Sequence, residues 1–293
     1  MNTKRTFGML AAAALLASCS QNDALQNTVD NNEGLKPMTL TVSLPDGGMQ
    51  TRAEGDAAAT RCYVQIFQAG GTELGDGNSD VKRMEGADGS FTTTVYLKGD
   101  EAYDFLFWAD TEAEEAAAPT DLTAVAYNNG QTIAWAGNEL NEQWSASGID
   151  VTLKHVVSRV TVKTETEFTV STDWPLTATV PTVCSTYNVA AGAGVKGSEV
   201  SGGYTFEALG GDYEAEANVG HFYVLGNGST QKLVLHYNGP RGNSAVEINE
   251  VPVSADTHIT LTGDICNAGL VSGCIKATAT PDWGSEETED FGN

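Results

Sequence analysis

Met38-Thr39-Leu40-Thr41-Val42-Ser43-Leu44 places four large apolar residues on one face and three small hydroxyl residues on the other. A period of two is the signature of a β-strand with one buried face. Pro45-Asp46-Gly47-Gly48 closes the strand with turn residues. The next stretch, Thr51–Arg61 (TRAEGDAAATR), is small and polar, the composition of an exposed loop open to proteases.

Alternation returns after that loop. Cys62, Val64 and Ile66 share one face, and Tyr63, Gln65 and Phe67 the other. A loop is expected over roughly 70–80. Phe91, Thr93, Val95 and Leu97 alternate against Thr92, Thr94 and Tyr96. Tyr103-Asp-Phe-Leu-Phe-Trp108-Ala-Asp110 is a nearly continuous apolar run, which predicts a strand buried on both faces. Residues 111–126 (TEAEEAAAPTDLTAVA) are the best helix candidate, broken at Pro119, and Asn138–Ser145 suggests another short helical turn. Val151–Val162 is β-branched and reads as a central strand or a turn leading into one. Two strands are expected over 168–189, and a glycine-rich stretch at 190–203 is the expected seam between domains. Beyond it come Tyr204–Ala208, His221–Leu225, Lys232–Tyr237, Ala245–Val253, Thr257–Gly263 and Cys274–Thr280, separated by turn residues. Short strands at this spacing favour an all-β sandwich class over parallel α/β folds.

The amino terminus reads as a targeting segment. Lys4 and Arg5 precede an apolar run, Phe7–Ala17, that ends in Leu16-Ala17-Ser18-Cys19. This matches a signal peptide with a lipoprotein cleavage box, in which Cys19 receives the lipid. Two acyl chains there would anchor the chain stably, where one alone binds marginally. Residues 20–34 are polar and read as a tether.

The chain carries 15 basic and 39 acidic residues, for a net charge of −24. Removal of residues 1–18 takes away Lys4 and Arg5, giving 13 − 39 = −26. Such a surface repels nucleic acid, which is excluded as a partner. Besides Cys19 there are Cys62, Cys184, Cys266 and Cys274, with no C-x-x-C pair to suggest zinc. Cys266 and Cys274 flank a Gly-containing turn, so a local disulfide and buried free thiols are both open readings.

Catalytic and cofactor motifs are weak. Gly192-Ala-Gly194-Val-Lys-Gly197 matches a dinucleotide string but is followed by a poor helix former, Ser198–Gly203, so it reads as linker. Asp76-Gly-Asn78-Ser-Asp80 begins like a calcium loop, yet Val81 and Ala87 stand where Gly and Glu are needed. His155, His221, His236 and His258 each lie in or beside a strand and read as structural. No catalytic residues, metal site or cofactor are assigned, and the chain is read as a non-enzyme. Of the tryptophans, Trp108 reads as core, while Trp135, Trp144 and Trp174 are the candidates for stacking on a glycan.

Several of these pieces, in this order, resemble the Bacteroidales fimbrillins, the pilin-like lipoproteins of type V pili. The pieces are the lipoprotein box at Cys19, Thr51-Arg52-Ala53, Tyr103–Asp110, Leu153-Lys-His-Val-Val-Ser-Arg-Val160-Thr-Val162 and Val251–Gly263 (VPVSADTHITLTG). The resemblance implies two transthyretin-like, Greek-key β-sandwich domains in tandem, with a few short helices. The boundaries expected are signal peptide 1–18, tether 19–34, first domain 35–189 and second domain 190–293. It also implies a structural subunit of a cell-surface fimbrium at the outer membrane. An arginine-specific protease would cut between Arg52 and Ala53, with Arg61 a weaker second choice. The strand carrying Met38, Leu40, Val42 and Leu44 would leave, and another pilin subunit would donate a strand into the groove. The C-terminal segment 275–293 would be this chain's own donor; its small residues and acidic end depart from a good donor strand. Anchor or tip subunits that keep their lipid, with a host or bacterial surface ligand at a tip, and a surface glycan-binding lipoprotein are the alternatives.

Overall fold

The computed structural model describes residues 34–45, 58–74, 79–87, 89–130, 132–170, 176–205, 211–239, 242–263, 275–281 and 289–290. Leu35 onward forms one unit by backbone proximity. The first strands are β1 (Leu35–Ser43), β2 (Arg61–Gln68), β3 (Thr72–Glu73), β4 (Lys82–Arg83), β5 (Glu85–Ala87), β6 (Ser90–Lys98), β7 (Ala102–Asp110), β8 (Val125–Ala126), β9 (Ala134–Gln143), β10 (Ile149–Thr152) and β11 (Lys154–His155). They are followed by β12 (Ser158–Thr164), β13 (Phe168–Val170), β14 (Leu176–Cys184), β15 (Thr186–Asn188), β16 (Ala193–Gly194), β17 (Glu199–Thr205) and β18 (Gly211–Tyr213). The last are β19 (Asn218–Val224), β20 (Ser229–Gly239), β21 (Gly242–Val253), β22 (Thr257–Gly263), β23 (Ile275–Pro281) and β24 (Glu289–Asp290).

Two sheets enclose the first core. One has the order β10-β1-β6-β5, and the other β11-β9-β7-β2-β3 with β4 also on β2. Met38, Leu40, Val42, Phe91, Val95 and Leu97 from the first sheet share one apolar cluster with Cys62, Val64, Ile66, Phe105 and Phe107 from the second. Two apolar faces, each produced by period-two alternation, have nowhere else to go than against each other. β2 and β7 are buried on both faces. The outer face of β2 is covered by the segment after β7, where Leu122 N–H donates to Gln65 Oε1 at 2.7 Å.

A second pair of sheets follows the same logic. β19-β12-β22-β23-β24 faces β17-β14-β20-β21. Val160, Val162, Phe222, Val224, Ile259 and Leu261 meet Leu176, Ala178, Val180, Leu233, Leu235 and Val251 in a second cluster. β22 shows the alternation most plainly, with Thr257, Ile259, Leu261 and Gly263 buried and the residues between them half-buried. The chain is an all-β protein of two packed sandwiches.

The expected short helices are corrected. Among the described residues there is no helix. Asn138–Gln143 continues β9, which pairs with β7 from Ala134↔Asp110 to Gln143↔Ala102. Residues 111–126 form turns that end in β8. Val160, Val162, Leu176, Ala178, Val180 and Val183 belong to the second cluster, while Cys184, Tyr187, Val189, Tyr223 and Leu225 belong to the first, so the two cores interleave along the chain around the expected 189/190 boundary. The glycine-rich stretch 190–203 holds β16, which pairs with β15, and most of β17.

The two sandwiches are joined by more than one covalent connection. β8 pairs with β15, and Gly130 bridges Tyr223. Asn129 donates from Nδ2 to the Cys184 carbonyl at 2.9 Å and accepts from Leu225 N–H at 2.6 Å. Tyr187, Val189, Tyr223 and Leu225 bury their side chains in the first cluster.

Candidate functional site: the groove of the first strand

β1 is an interior strand. It runs antiparallel to β6 along its whole length, from Leu35↔Lys98 to Ser43↔Ser90. It runs parallel to β10 over Leu40↔Ile149 to Ser43↔Thr152. The residues with the expected inward period are the buried ones: Met38 is 1% exposed, Leu40 and Val42 0%, and Leu44 6%. Lys36, Pro37 and Thr39 are exposed. Sequence reasoning thus placed this face correctly, and its burial is nearly complete.

Backbone bonds extend the register beyond the strand. Leu44 N–H donates to the Gly89 carbonyl at 2.9 Å, and Leu153 N–H donates to the Ser43 carbonyl at 2.9 Å. Thr92 Oγ1 donates to the Leu40 carbonyl at 3.2 Å. Gly148 sits at φ +80, and a Cβ there would lie 2.3 Å from the Thr39 carbonyl oxygen. Only glycine allows that approach. At the start of the strand, Lys36 Nζ lies 4.9 Å from the ring centre of Trp144. Neither Gly148 nor the Lys36–Trp144 contact was legible locally, because each joins positions about a hundred residues apart.

On its C-terminal side β1 is tied to the body through Pro45 and the segment before Ala58. Arg52 and Ala53 lie in that segment, outside the described residues; Cys19, which precedes β1, is outside them too. The body resumes firmly. Ala59 is buried, and Arg61 is 2% exposed. Its guanidinium holds Asp110 through Nε–Oδ1 at 2.8 Å and Nη2–Oδ2 at 3.1 Å. Nη1 also donates to the Ala116 carbonyl at 2.8 Å. Asp110 in turn accepts Trp108 Nε1–H at 2.8 Å. Arg61 is therefore a structural residue shielded from a protease, which corrects its reading as a second cut site.

The other sequence candidates scatter. Trp108 is buried as expected, but Trp135 is buried too, at 4% exposure, packed 5.3 Å from the His155 ring. Trp144 is half-buried beneath Lys36. Trp174 lies outside the described residues. This corrects the reading of Trp135 as part of a stacking face. The histidines bridge neighbouring elements: His155 Nδ1 lies 3.1 Å from Asp256, His258 Nε2 2.9 Å from Thr161 and His236 Nε2 3.2 Å from Thr179. Burial holds His258 down at about 4, with Arg159 and His221 adding to the effect. Cys62 and Cys184 are free buried thiols, and burial pushes Cys62 up to about 12. Cys266 and Cys274 lie outside the described residues. Gly192–Gly197 leads into β17 and lacks the helix a pyrophosphate site requires. Among the described residues no group of three or more His, Cys, Asp or Glu is placed to hold a metal.

Residues 31–269 match the model of DUF6562, a family described as of unknown function. The chain belongs to this family. The DUF6562 region spans β1 and its groove together with all of the second core. No curated protein matches the chain. Among solved structures, a "putative cell adhesion protein" of Bacteroides uniformis is similar, at 14% identity and a TM-score of 0.51, covering 89% of this chain and 99% of that one. A fimbrial assembly protein of Parabacteroides distasonis is similar at 10% identity and a TM-score of 0.50, covering 87% and 98%. The all-β sandwich fold implied by the fimbrillin resemblance is the fold these Bacteroidales proteins share with this DUF6562 member.

Proposed function

We propose that the chain is a structural subunit of a cell-surface fimbrium, exported as a lipoprotein on Cys19, cut after Arg52, and assembled by accepting a strand from another subunit. The observation that carries this reading is the state of β1. Its four inward side chains are part of the core, yet its C-terminal end is joined covalently to β2 through the segment that contains Arg52. Each such side chain contributes roughly 1.5–3 kcal/mol on burial, so the strand contributes roughly 6–12 kcal/mol before entropy. A domain has only about 5–15 kcal/mol of net stability. Loss of β1 without a replacement is therefore unaffordable, and replacement is strongly favoured. The vacated slot would also leave backbone donors and acceptors of β6 and β10 unpaired in an apolar setting.

The sequence supplies one exposed-type cut site for this purpose. Between Gly34 and Cys62 the basic residues are Lys36, Arg52 and Arg61. Lys36 lies within β1 against Trp144, and Arg61 is buried against Asp110. The fold shared with a fimbrial assembly protein and a "putative cell adhesion protein" supports the same reading, in which the chain acts without catalysis at the outer membrane. The glycan-binding alternative has lost Trp135 as a stacking residue. Immunogold electron microscopy of producing cells tests the proposal. Label along surface fibres is expected; label confined to the cell envelope would overturn the shaft role.

A further inference from the structure

We infer, resting on the strand-exchange reading, that the groove of this chain is built for a strand from a different subunit and rejects the chain's own C-terminal strand. The groove is defined by what now fills it. Met38, Leu40, Val42 and Leu44 occupy four consecutive inward positions, each at most 6% exposed. A strand that replaces them must bring large aliphatic side chains at four alternating positions, because voids left in a packed core are not absorbed.

The last long strand towards the C-terminal end is β23, Ile275-Lys-Ala-Thr-Ala-Thr-Pro281, followed by the two-residue β24. One face offers Ile275, Ala277, Ala279 and Pro281, and the other Lys276, Thr278 and Thr280. Set in the register of β1, the first face would put Ala where Leu40 and Val42 stand. It would also put Pro281 at Leu44, whose N–H donates to Gly89. Proline has no N–H to give there. A shift by two residues brings Gly273, Ile275, Ala277 and Ala279, which is no better. A shift by one turns lysine and threonine inward. Ile275 is the only large aliphatic residue of 275–293, so the tail fills at most one of the four positions with such a side chain. Moreover, β23 is already paired along its length with β22, from Thr257↔Pro281 to Gly263↔Ile275.

The partner is accordingly a strand of another protein with large aliphatic residues at positions i, i+2, i+4 and i+6 and no proline at the last. The test uses the mature chain after cleavage by an arginine-specific protease, with two fluorescent peptides. One carries residues 36–45 (KPMTLTVSLP) and the other residues 275–284 (IKATATPDWG). The first is expected to bind and displace the native fragment. The second is expected to bind at least about a hundredfold more weakly, given the usual cost of two large-to-Ala changes in a core. Introducing A277L, A279L and P281L into the second peptide should restore binding, a gain that no folding defect can mimic. Equal binding of the unaltered tail peptide, or long homopolymers of the cleaved chain, would overturn this inference and leave strand exchange standing. Binding of neither aliphatic peptide would overturn both.

Discussion

Replacing Leu40 by Ala tests the energetic role of the first strand. Leu40 is fully buried, and its backbone is flanked by Thr93 on β6 and Ile149 on β10. Paired strands on both sides leave the site little freedom to collapse. The expected cost is therefore about 3–4 kcal/mol, within the range of buried Leu→Ala changes. The neighbouring Thr41→Ala change removes a side chain from the opposite face and should cost no more than about 0.5 kcal/mol. Trp108 and Trp135 both lie in the first core, so tryptophan fluorescence during urea unfolding reports on this sandwich. With a slope of about 1–3 kcal/mol per molar, Leu40→Ala should lower the midpoint by at least about 1 M, while Thr41→Ala leaves it nearly unchanged. Equal midpoints for Leu40→Ala and the unaltered protein would refute the argument that β1 is a core strand.

Three further outcomes follow from the same geometry. Gly148→Ala should loosen β1 without altering its sequence, because the new Cβ meets the Thr39 carbonyl; hydrogen exchange at Thr39–Val42 should rise well above that of β7. Arg61→Ala should destabilise by about 3–5 kcal/mol by leaving Asp110 charged and buried, and Arg61→Lys should not restore it, since lysine cannot hold both carboxylate oxygens and the Ala116 carbonyl; thermal melts compare the variants. His258 is held neutral with its folded value at about 4, below the unfolded 6.5. The unfolded chain therefore takes up the proton first. Stability is complete above pH 6.5 and falls as pH drops toward 4, by about 3 kcal/mol for this one group. His258→Gln should flatten that part of the pH profile, and an unchanged slope would rule the histidine out.

Much of this was legible in the sequence where the signal was local. The alternation of Met38–Leu44 and Thr257–Gly263 set the inward faces, and the nearly continuous apolar run of Tyr103–Asp110 announced a strand covered on both sides. Local propensity misled at 111–126, where an Ala/Glu-rich segment suited a helix. Its Leu122 and the Ala113 and Ala116 carbonyls are instead taken up by Gln65 and Arg61 on the face of β2. The polar second half of β9 looked helical because it is exposed; only its partner β7, about thirty residues earlier in the chain, makes it a strand. Glycine content drew the expected seam to 190–203, whereas the two cores interleave along the chain, because β12 takes its neighbours β19 and β22 from far later in the sequence while Tyr187 and Val189 return to the first core. Arg61 resembled Arg52 as a loop arginine because Asp110 is invisible at a separation of 49 residues.

The central claim is that Arg52 marks the end of what is discarded and β1 leaves with it. The amino-terminal residue of the chain recovered from purified surface fibres tests it most directly. Ala53 as the first residue is the result expected, with the Cys19–Arg52 fragment missing from the fibre. A chain that begins uniformly at lipid-modified Cys19 and still carries Met38–Leu44 would contradict it.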